Sequence, residues 1–288
     1  MSSFRRNIMM FTRPVESKGV PAPTISPASG SILSSQVISI DVVGIAISAE
    51  YSFDNSTWVS YTSPFTLSSD ATVYARALDA DGNYSNVVSN SYTILPYDAE
   101  VEYLQSNPSG GTSTERKKGQ KISLFTPTIQ DEVEVKFMVL EKTGVAFFGA
   151  RNGQYRFCCT TFSSGTYTAF SMTYNAGPPQ RATVTLDTIY TMSAKNGSYT
   201  INGSTYSTTQ LTSASFGDFL MFCCKNSAGS DAYTKIRCYY VKVYRDGNLL
   251  HDFIPVRVGQ VGYLYDKESC QLFGNSGTDS FTLGNDIN

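Results

Sequence analysis

The 288-residue sequence is poor in the residues from which enzymes build reactive centres, with one histidine (His251) and one tryptophan (Trp58). A serine hydrolase needs a histidine beside a nucleophilic serine, and the chain has no Gly-x-Ser-x-Gly elbow. A lone histidine without a Cys-x-x-Cys pair also argues against a zinc site. We therefore expect a structural or surface role for His251, and neither a metal nor a cofactor.

Charge and long apolar runs are also scarce. Charged residues make up 16% of the chain and the net charge is −2, whereas roughly 25% is usual in soluble domains. The sequence has no basic stripe for nucleic acid and no polybasic segment for a membrane surface. No apolar run approaches the length of a membrane span, and helical periodicity is nearly absent.

The chain begins with a segment that imitates a signal peptide. The pair Arg5-Arg6 precedes an apolar stretch, Ile8–Phe11, that is too short for a signal peptide's core, and Arg13-Pro14 closes it without a small-residue cleavage site. We expect this segment to be retained, within an N-terminal arm and linker formed by residues 1–22.

The six cysteines permit a disulfide framework or six free thiols. Two adjacent pairs, Cys158-Cys159 and Cys223-Cys224, lie in apolar, strand-like runs, and neighbours on a strand point to opposite faces. We expect reduced thiols, buried as small hydrophobic side chains, in a protein made in a reducing cytosol. The remaining two are Cys238 and Cys270.

Tyrosine (19) and phenylalanine (17) are abundant, and aromatic residues favour half-buried pleated surfaces. Residues 23–95 read as short alternating segments separated by turns, which predicts a β-sandwich. Residues 51–86 also resemble the immunoglobulin-like modules found beside chitobiases and in phage virions. That resemblance implies a spacer or binding unit without catalytic residues.

The strongest pattern lies in residues 96–288, after the boundary Leu95-Pro96. Four motifs close the chain: Asp252-Phe253-Ile254-Pro255, Gly262-Tyr263-Leu264-Tyr265-Asp266, Leu272-Phe273-Gly274-Asn275-Ser276-Gly277-Thr278 and Phe281-Thr282-Leu283-Gly284. In this order they resemble the closing strands of the concanavalin A-like (LamG-type) jelly-roll domain of tailed-phage structural proteins and gut-bacterial surface proteins. The resemblance implies two antiparallel sheets over roughly residues 99–285.

Three local expectations accompany that domain. Pro255 lacks an N–H and should lie at a strand end or edge. Asn202-Gly203 and Asp246-Gly247 predict tight hairpin turns. Residues 107–118 read as a polar loop, where the sequence departs from the family pattern.

The jelly-roll superfamily includes glucanases, which carry acidic residues at alternate positions of one strand. The nearest match is Glu132 and Glu134, but Lys136 occupies the third position. This pattern favours the solvated face of a half-buried strand, so we expect no catalytic residues and no hydrolysis.

Two binding hypotheses concern other residues. Asp79, Asp81 and Asn83 suit calcium by their alternate oxygen ligands, although Asp-Gly-Asn is ordinary turn chemistry, which we favour. Five aromatic residues are candidate glycan-stacking platforms, although most aromatic residues must pack in the core. They are Trp58, Tyr61, Tyr167, Phe170 and Tyr174.

The resemblance implies a non-enzymatic virion protein of a tailed phage, a capsid decoration or head-fibre component assembled in the host bacterial cytoplasm. Its expected partners are other virion proteins such as the major capsid protein, and the resemblance also allows host or mucosal glycans and further copies of the chain. A bacterial cell-surface glycan-binding adhesin is the alternative. Residues at helical spacing with an adjacent arginine pair predict the anchor to the particle. They are Phe4, Arg5, Arg6, Ile8 and Phe11.

Overall fold

The computed structural model describes residues 19–112, 115–141, 147–157, 160–163, 166–169, 173–174, 182–225 and 229–287. Regular structure in these residues is β-strand, without a helix, which confirms the expected all-β class. Within the same ranges, no helix is long and apolar enough to cross a membrane. The chain divides between Leu95 and Pro96 into two compact units.

The first unit has short strands at Thr24–Ser26 (β1), Gly30–Ile32 (β2), Val37–Asp41 (β3), Ser48–Ser52 (β4), Val59–Ser60 (β5), Phe65–Thr66 (β6), Ala71–Leu78 (β7) and Val88–Ile94 (β8). They form two sheets, β1-β3-β6 and β2-β8-β7-β4-β5. Ile38 and Ile40 of the first sheet share a buried apolar cluster with Val73 and Ala75 of the second. This is the sandwich arrangement expected from the sequence.

The second unit begins with Ala99–Glu100 (β9), Leu104–Gln105 (β10), Ser109–Thr112 (β11), Glu115–Lys118 (β12), Ile122–Ser123 (β13), Asp131–Val139 (β14), Ala150–Asn152 (β15), Tyr155–Phe157 (β16), Thr160–Ser163 (β17), Thr166–Ala169 (β18), Thr173–Tyr174 (β19) and Ala182–Val184 (β20). It continues with Ile189–Lys195 (β21), Ser198–Ile201 (β22), Ser204–Ser207 (β23), Leu220–Met221 (β24), Cys223–Lys225 (β25), Asp231–Tyr233 (β26), Ile236–Arg245 (β27), Asn248–Val258 (β28), Val261–Asp266 (β29), Gln271–Phe273 (β30) and Thr282–Leu283 (β31).

One large sheet organises this second unit. Its order is β23-β22-β21-β14-β27-β28-β29-β30, and β9, β10 and β31 join it at the side. Smaller sheets accompany it: β11-β12-β26-β25, β13-β24, β15-β16-β19 and β17-β18-β20. A single buried apolar cluster connects residues of the large sheet, such as Phe137, with residues of the smaller ones, such as Ile122 and Ala150.

Strict alternation places the side chains of β14. Val133, Val135 and Phe137 are buried, whereas Glu132, Glu134 and Lys136 are half-buried on the opposite face. The period of two that the sequence shows is therefore the period of burial. Each fully buried side chain of this size contributes roughly 1.5–3 kcal/mol to folding, which fixes the register of the strand and aims the acidic residues away from the core.

Two local expectations need correction. Pro255 lies inside β28, at the point where the last pair with β27, Val241 opposite Phe253, gives way to the first pair with β9, Val256 opposite Glu100. Pro255, which has no N–H, therefore lies between the segment of β28 that pairs with β27 and the segment that pairs with β9. Residues 107–118 contain a hairpin rather than a loop, since β11 pairs with β12. Gly110 and Gly111 of β11 have positive φ values, which glycine adopts without steric cost.

The C-terminal motif fastens the end of the chain to residues 119–121. The side-chain Oδ1 of Asn275 accepts hydrogen bonds from the backbone N–H groups of Lys121 (2.8 Å) and Gly277 (2.9 Å). The N–H of Ser276 donates to the carbonyl of Lys121 (2.7 Å), and that of Thr278 donates to the carbonyl of Gly119 (2.8 Å). The turn residues of the motif thus hold two segments of the fold together.

Candidate functional site

The acidic face of β14 is the first place to test for chemistry. The hydroxyl of Tyr240 donates to Glu134 Oε1 (2.9 Å), and burial together with this hydrogen bond raises the pKa of Tyr240 to about 12. Glu132 accepts a hydrogen bond from Ser193 and lies 3.7 Å from Lys195 Nζ. Both carboxylates are therefore engaged by neighbouring strands.

Lys136, the residue that interrupts the acidic pattern, completes the same face. Its Nζ lies 5.6 Å from the ring centroid of Tyr239, within cation–π range. The face thus combines carboxylates, ammonium groups and tyrosine rings in mutual contact. This arrangement stabilises a solvated sheet surface, as the sequence predicts.

His251 and Asp266 form the most reactive-looking pair in the described residues. His251 Nδ1 lies 2.8 Å from Asp266 Oδ2, and the hydroxyl of Ser269 donates to the same oxygen at 2.6 Å. In a hydrolytic triad the serine binds the second nitrogen of the histidine. Here serine and histidine both bind the aspartate, so the geometry lacks an activated nucleophile.

The surroundings of this pair are structural. The His251 ring stacks on Phe253 (5.3 Å between centroids) and lies 5.8 Å from Phe125. Asp266 is fully buried and also accepts hydrogen bonds from two backbone N–H groups, those of Asp252 and Glu268. Burial raises the pKa of Asp266, but the hydrogen bonds of Ser269 and His251, together with those of the two backbone N–H groups, outweigh it and hold the pKa below its ordinary value. The pair secures the end of β29.

The Asp79–Asn83 segment is a self-bonded turn. Asp79 Oδ1 accepts from the backbone N–H groups of Asp81 (3.0 Å) and Asn83 (2.9 Å), and Oδ2 accepts from the side-chain amide of Asn83 (3.0 Å). The hydrogen bonds of Asn83 lower the pKa of Asp79. Its carboxylate oxygens thus bind the turn itself. Across the described ranges, no group of three or more His, Cys, Asp or Glu side chains could hold a metal ion.

The aromatic candidates fall into three groups. The guanidinium of Arg76 lies 4.2 Å from the ring centroid of Trp58 and 3.7 Å from that of Tyr84, and it pairs with Glu50. Tyr61 packs against the core of the first unit. The side chains of Tyr167, Phe170 and Tyr174 lie outside the described residues, as do all five residues of the expected particle anchor.

The second unit contains a small cationic cavity that the sequence did not predict. It measures about 250 Å³ and is lined by Lys121, Arg151, Asp218 and Lys225, among others. Both lysines bind Asp231, at 2.6 Å and 2.5 Å, and Asp218 accepts from Ser123 and Thr126. The two lysines are therefore paired with a carboxylate, and Asp218 is bound by hydroxyl groups. No sequence signal could find this set, because Lys121 and Asp231 lie far apart in the chain.

A shallow groove in the first unit was also missed. It measures about 650 Å³ and is lined by Phe53, Tyr74 and the segment from Thr66 to Thr72, which is polar apart from Leu67 and Ala71. The Phe53 side chain is exposed, at 52% of its full accessible surface. An exposed phenylalanine beside hydroxyl groups suits a ligand that has both an apolar face and polar groups. The only sequence signal was an aromatic residue at the edge of a turn, Asp54-Asn55-Ser56.

Comparison with known proteins identifies no relative: no family model, curated protein or solved structure matches the chain significantly.

Thiol labelling of the native protein should separate Cys270 from three buried cysteines. Cys223, Cys224 and Cys238 are buried, whereas Cys270 is exposed, contrary to the expectation that all would be buried. Burial raises the pKa of Cys223 and Cys238, so little reactive thiolate forms. After a short iodoacetamide pulse, peptide mapping should find label on Cys270 and not on those three. Equal labelling of all four would contradict their burial.

Alkylation of the denatured protein tests the redox state of all six cysteines. Cys158 and Cys159 lie outside the described residues, and the sequence predicts that they too are reduced. Alkylation after denaturation without reductant should therefore label all six cysteines. Labelling of four or fewer would indicate disulfides and an oxidising compartment.

Proposed function

We propose that the chain is a non-enzymatic structural protein of a tailed-phage particle, a capsid decoration or head-fibre component. The observation that carries its non-enzymatic character is the engagement of the candidate catalytic side chains. Glu134 is bound by Tyr240, Glu132 by Ser193, and His251 by Asp266. In each case the partner belongs to an adjacent strand or turn, so the contact fastens the fold.

The assignment to a particle rests on the sequence. The four C-terminal motifs and residues 51–86 resemble modules of phage structural proteins, and the arm carries the apolar residues Phe4, Ile8 and Phe11 at helical spacing. In the first unit, Val43, Ile45 and Ile47 expose more than half of their side chains on one loop. Such a loop suits contact with another protein of an assembly.

The alternative function is a glycan-binding adhesin of a bacterial surface. The Phe53 groove favours it, because an exposed ring and neighbouring hydroxyl groups suit a sugar. A virion protein that contacts host or mucosal glycans would use the same surface. Cellular location therefore separates the two functions better than ligand binding does.

The proposal predicts that the protein co-purifies with phage particles and that its arm attaches it. Peptide mass spectrometry of density-purified virions should detect the chain at a copy number comparable to other structural proteins. Deletion of Met1–Arg13 should abolish incorporation while circular dichroism shows both units folded. The short helix that the spacing predicts for the arm is marginal in water and needs a partner surface to fold against. Deletion of the arm should therefore remove the contact that attaches the protein to the particle.

A triple substitution of Ser2, Ser3 and Asn7 by alanine is the matched control, because it alters the arm but keeps its apolar and arginine side chains. That variant should be incorporated normally. Unchanged incorporation of the deletion variant would remove the anchor role. Absence of the chain from virions, or release of sugars from a glucan panel that Glu134→Gln abolishes, would contradict the proposed function itself.

A further inference from the structure

The groove of the first unit presents Phe53 in an unusual way. Tyr51 and Phe65 stack on each other, with centroids 4.7 Å apart and planes inclined by 23°. Both meet Phe53 nearly at right angles, at 5.6 Å and 6.1 Å. These two partly buried neighbours thus hold the Phe53 ring without stacking parallel to it, while about half of the residue remains open to solvent.

Apart from Leu67 and Ala71, the remainder of the groove is polar and almost uncharged. Hydroxyl groups of Thr66, Ser68 and Ser69 line it beside the phenol of Tyr74, and Asp70 is its one ionisable acid. Asp70 Oδ1 accepts a hydrogen bond from the backbone N–H of Ile94 (2.8 Å), which fixes the carboxylate. Its second oxygen has no protein donor within the described hydrogen bonds and can accept from a ligand.

We propose that this groove binds a neutral oligosaccharide, with Phe53 as the platform for one sugar ring. A sugar has an apolar face of C–H groups that packs on an aromatic ring, and hydroxyl groups at its edge that bond to serine, threonine and carboxylate oxygens. The volume of about 650 Å³ lies within the roughly 300–1,000 Å³ of small-molecule sites. This inference stands whether or not the chain belongs to a virion.

The lining argues against other ligand classes. Among the residues that line the groove there is neither lysine nor arginine, so phosphate and acidic sugars find no cation to bind. The acidic Asp70 would repel them further. An apolar peptide segment would leave the hydroxyl groups of Ser68 and Ser69 without partners, whereas a neutral sugar supplies donors and acceptors at matching positions.

The test uses the full-length protein and defined hexasaccharides. The neutral probes are cellohexaose, laminarihexaose, maltohexaose and chitohexaose, and hexagalacturonate is the acidic comparison. Saturation-transfer NMR and calorimetric titration should detect at least one neutral probe, with an affinity on the order of 0.1–1 mM for a shallow open site. Hexagalacturonate should bind at least about tenfold more weakly. Failure of all four neutral probes at several millimolar would overturn the proposal.

Variants then assign the site. Phe53→Ala should weaken binding about tenfold, since it removes the stacking platform, whereas Phe53→Tyr should retain it. Val43→Ala is the matched control, because Val43 is equally exposed (55%) and lies outside the groove. Ser69→Arg should block the groove while leaving the aromatic rings in place, which guards against a folding defect in Phe53→Ala. Wild-type affinity in both Phe53→Ala and Ser69→Arg would refute the assignment.

Discussion

Gly277→Ala should lower the free energy of unfolding of the second unit by about 4 kcal/mol. A Cβ atom at Gly277 would lie 2.1 Å from the carbonyl oxygen of Gly119 and 3.0 Å from the backbone nitrogen of Lys121. Both contacts are with backbone, which cannot turn aside as a side chain can. The loop must therefore move away from residues 119–121.

That movement removes a set of hydrogen bonds together. Asn275 Oδ1 accepts from Lys121 N–H, and the N–H groups of Ser276 and Thr278 donate to the carbonyls of Lys121 and Gly119. Each contributes about 0.5–1.5 kcal/mol, and overpacking adds about 1–3 kcal/mol. The glycine of this motif is thus required by close approach of two backbone segments.

Urea denaturation measures the effect, with two probes. Trp58 is the only tryptophan and lies in the first unit, so its fluorescence transition should not change. The transition in far-UV circular dichroism that belongs to the second unit should shift to lower urea. Gly274→Ala is the matched control, because its Cβ would meet only the Tyr263 ring, at 3.2 Å. Equal stability of Gly277→Ala and wild type would contradict the close approach.

The sequence predicts those parts of the fold that depend on local periods. The alternation of β14 predicts its buried and exposed faces, and both are confirmed. Asn202-Gly203 predicts a hairpin, and the structure pairs β22 with β23 across it, with both turn residues at positive φ. Such patterns succeed because pleat and turn are determined by residues close together in the chain.

Features that depend on distant residues could not be predicted in this way. The sequence contains Glu134 and Tyr240, but only the pairing of β14 with β27 brings their side chains into contact. The exposure of Phe53 likewise depends on how Tyr51 and Phe65 stack. An aromatic residue in a strand-rich chain is usually buried, so composition alone could not indicate a binding surface.

Asp266→Ala removes a buried carboxylate and should lower the free energy of unfolding of the second unit by about 3 kcal/mol at pH 7. The two oxygens of Asp266 hydrogen-bond His251, Ser269 and two backbone N–H groups. Alanine would leave the buried members of this set without an acceptor. Trp58 fluorescence should again show an unchanged first unit.

The same carboxylate should make stability depend on acid. Hydrogen bonds hold the pKa of Asp266 below its ordinary value despite burial, so an unfolded chain takes up a proton near pH 4 before the folded chain does. The contribution of ionised Asp266 to the free energy of unfolding is therefore complete above about pH 4, and it declines as the pH falls towards the lower pKa of the folded chain. Wild-type stability should decrease steadily below pH 4.

Urea midpoints measured from pH 7 to pH 2.5 test this linkage. Asp231, whose pKa is also lowered by its lysine partners against the effect of burial, remains in the variant and keeps part of the acid response. Asp266→Ala should accordingly show a smaller decrease below pH 4 than wild type. Glu268→Gln, an exposed carboxylate of the same turn, is the control and should reproduce the wild-type curve. Parallel curves for Asp266→Ala and wild type would mean that the pKa of Asp266 is the same in the folded and unfolded chain, which would contradict its depression by the buried hydrogen bonds.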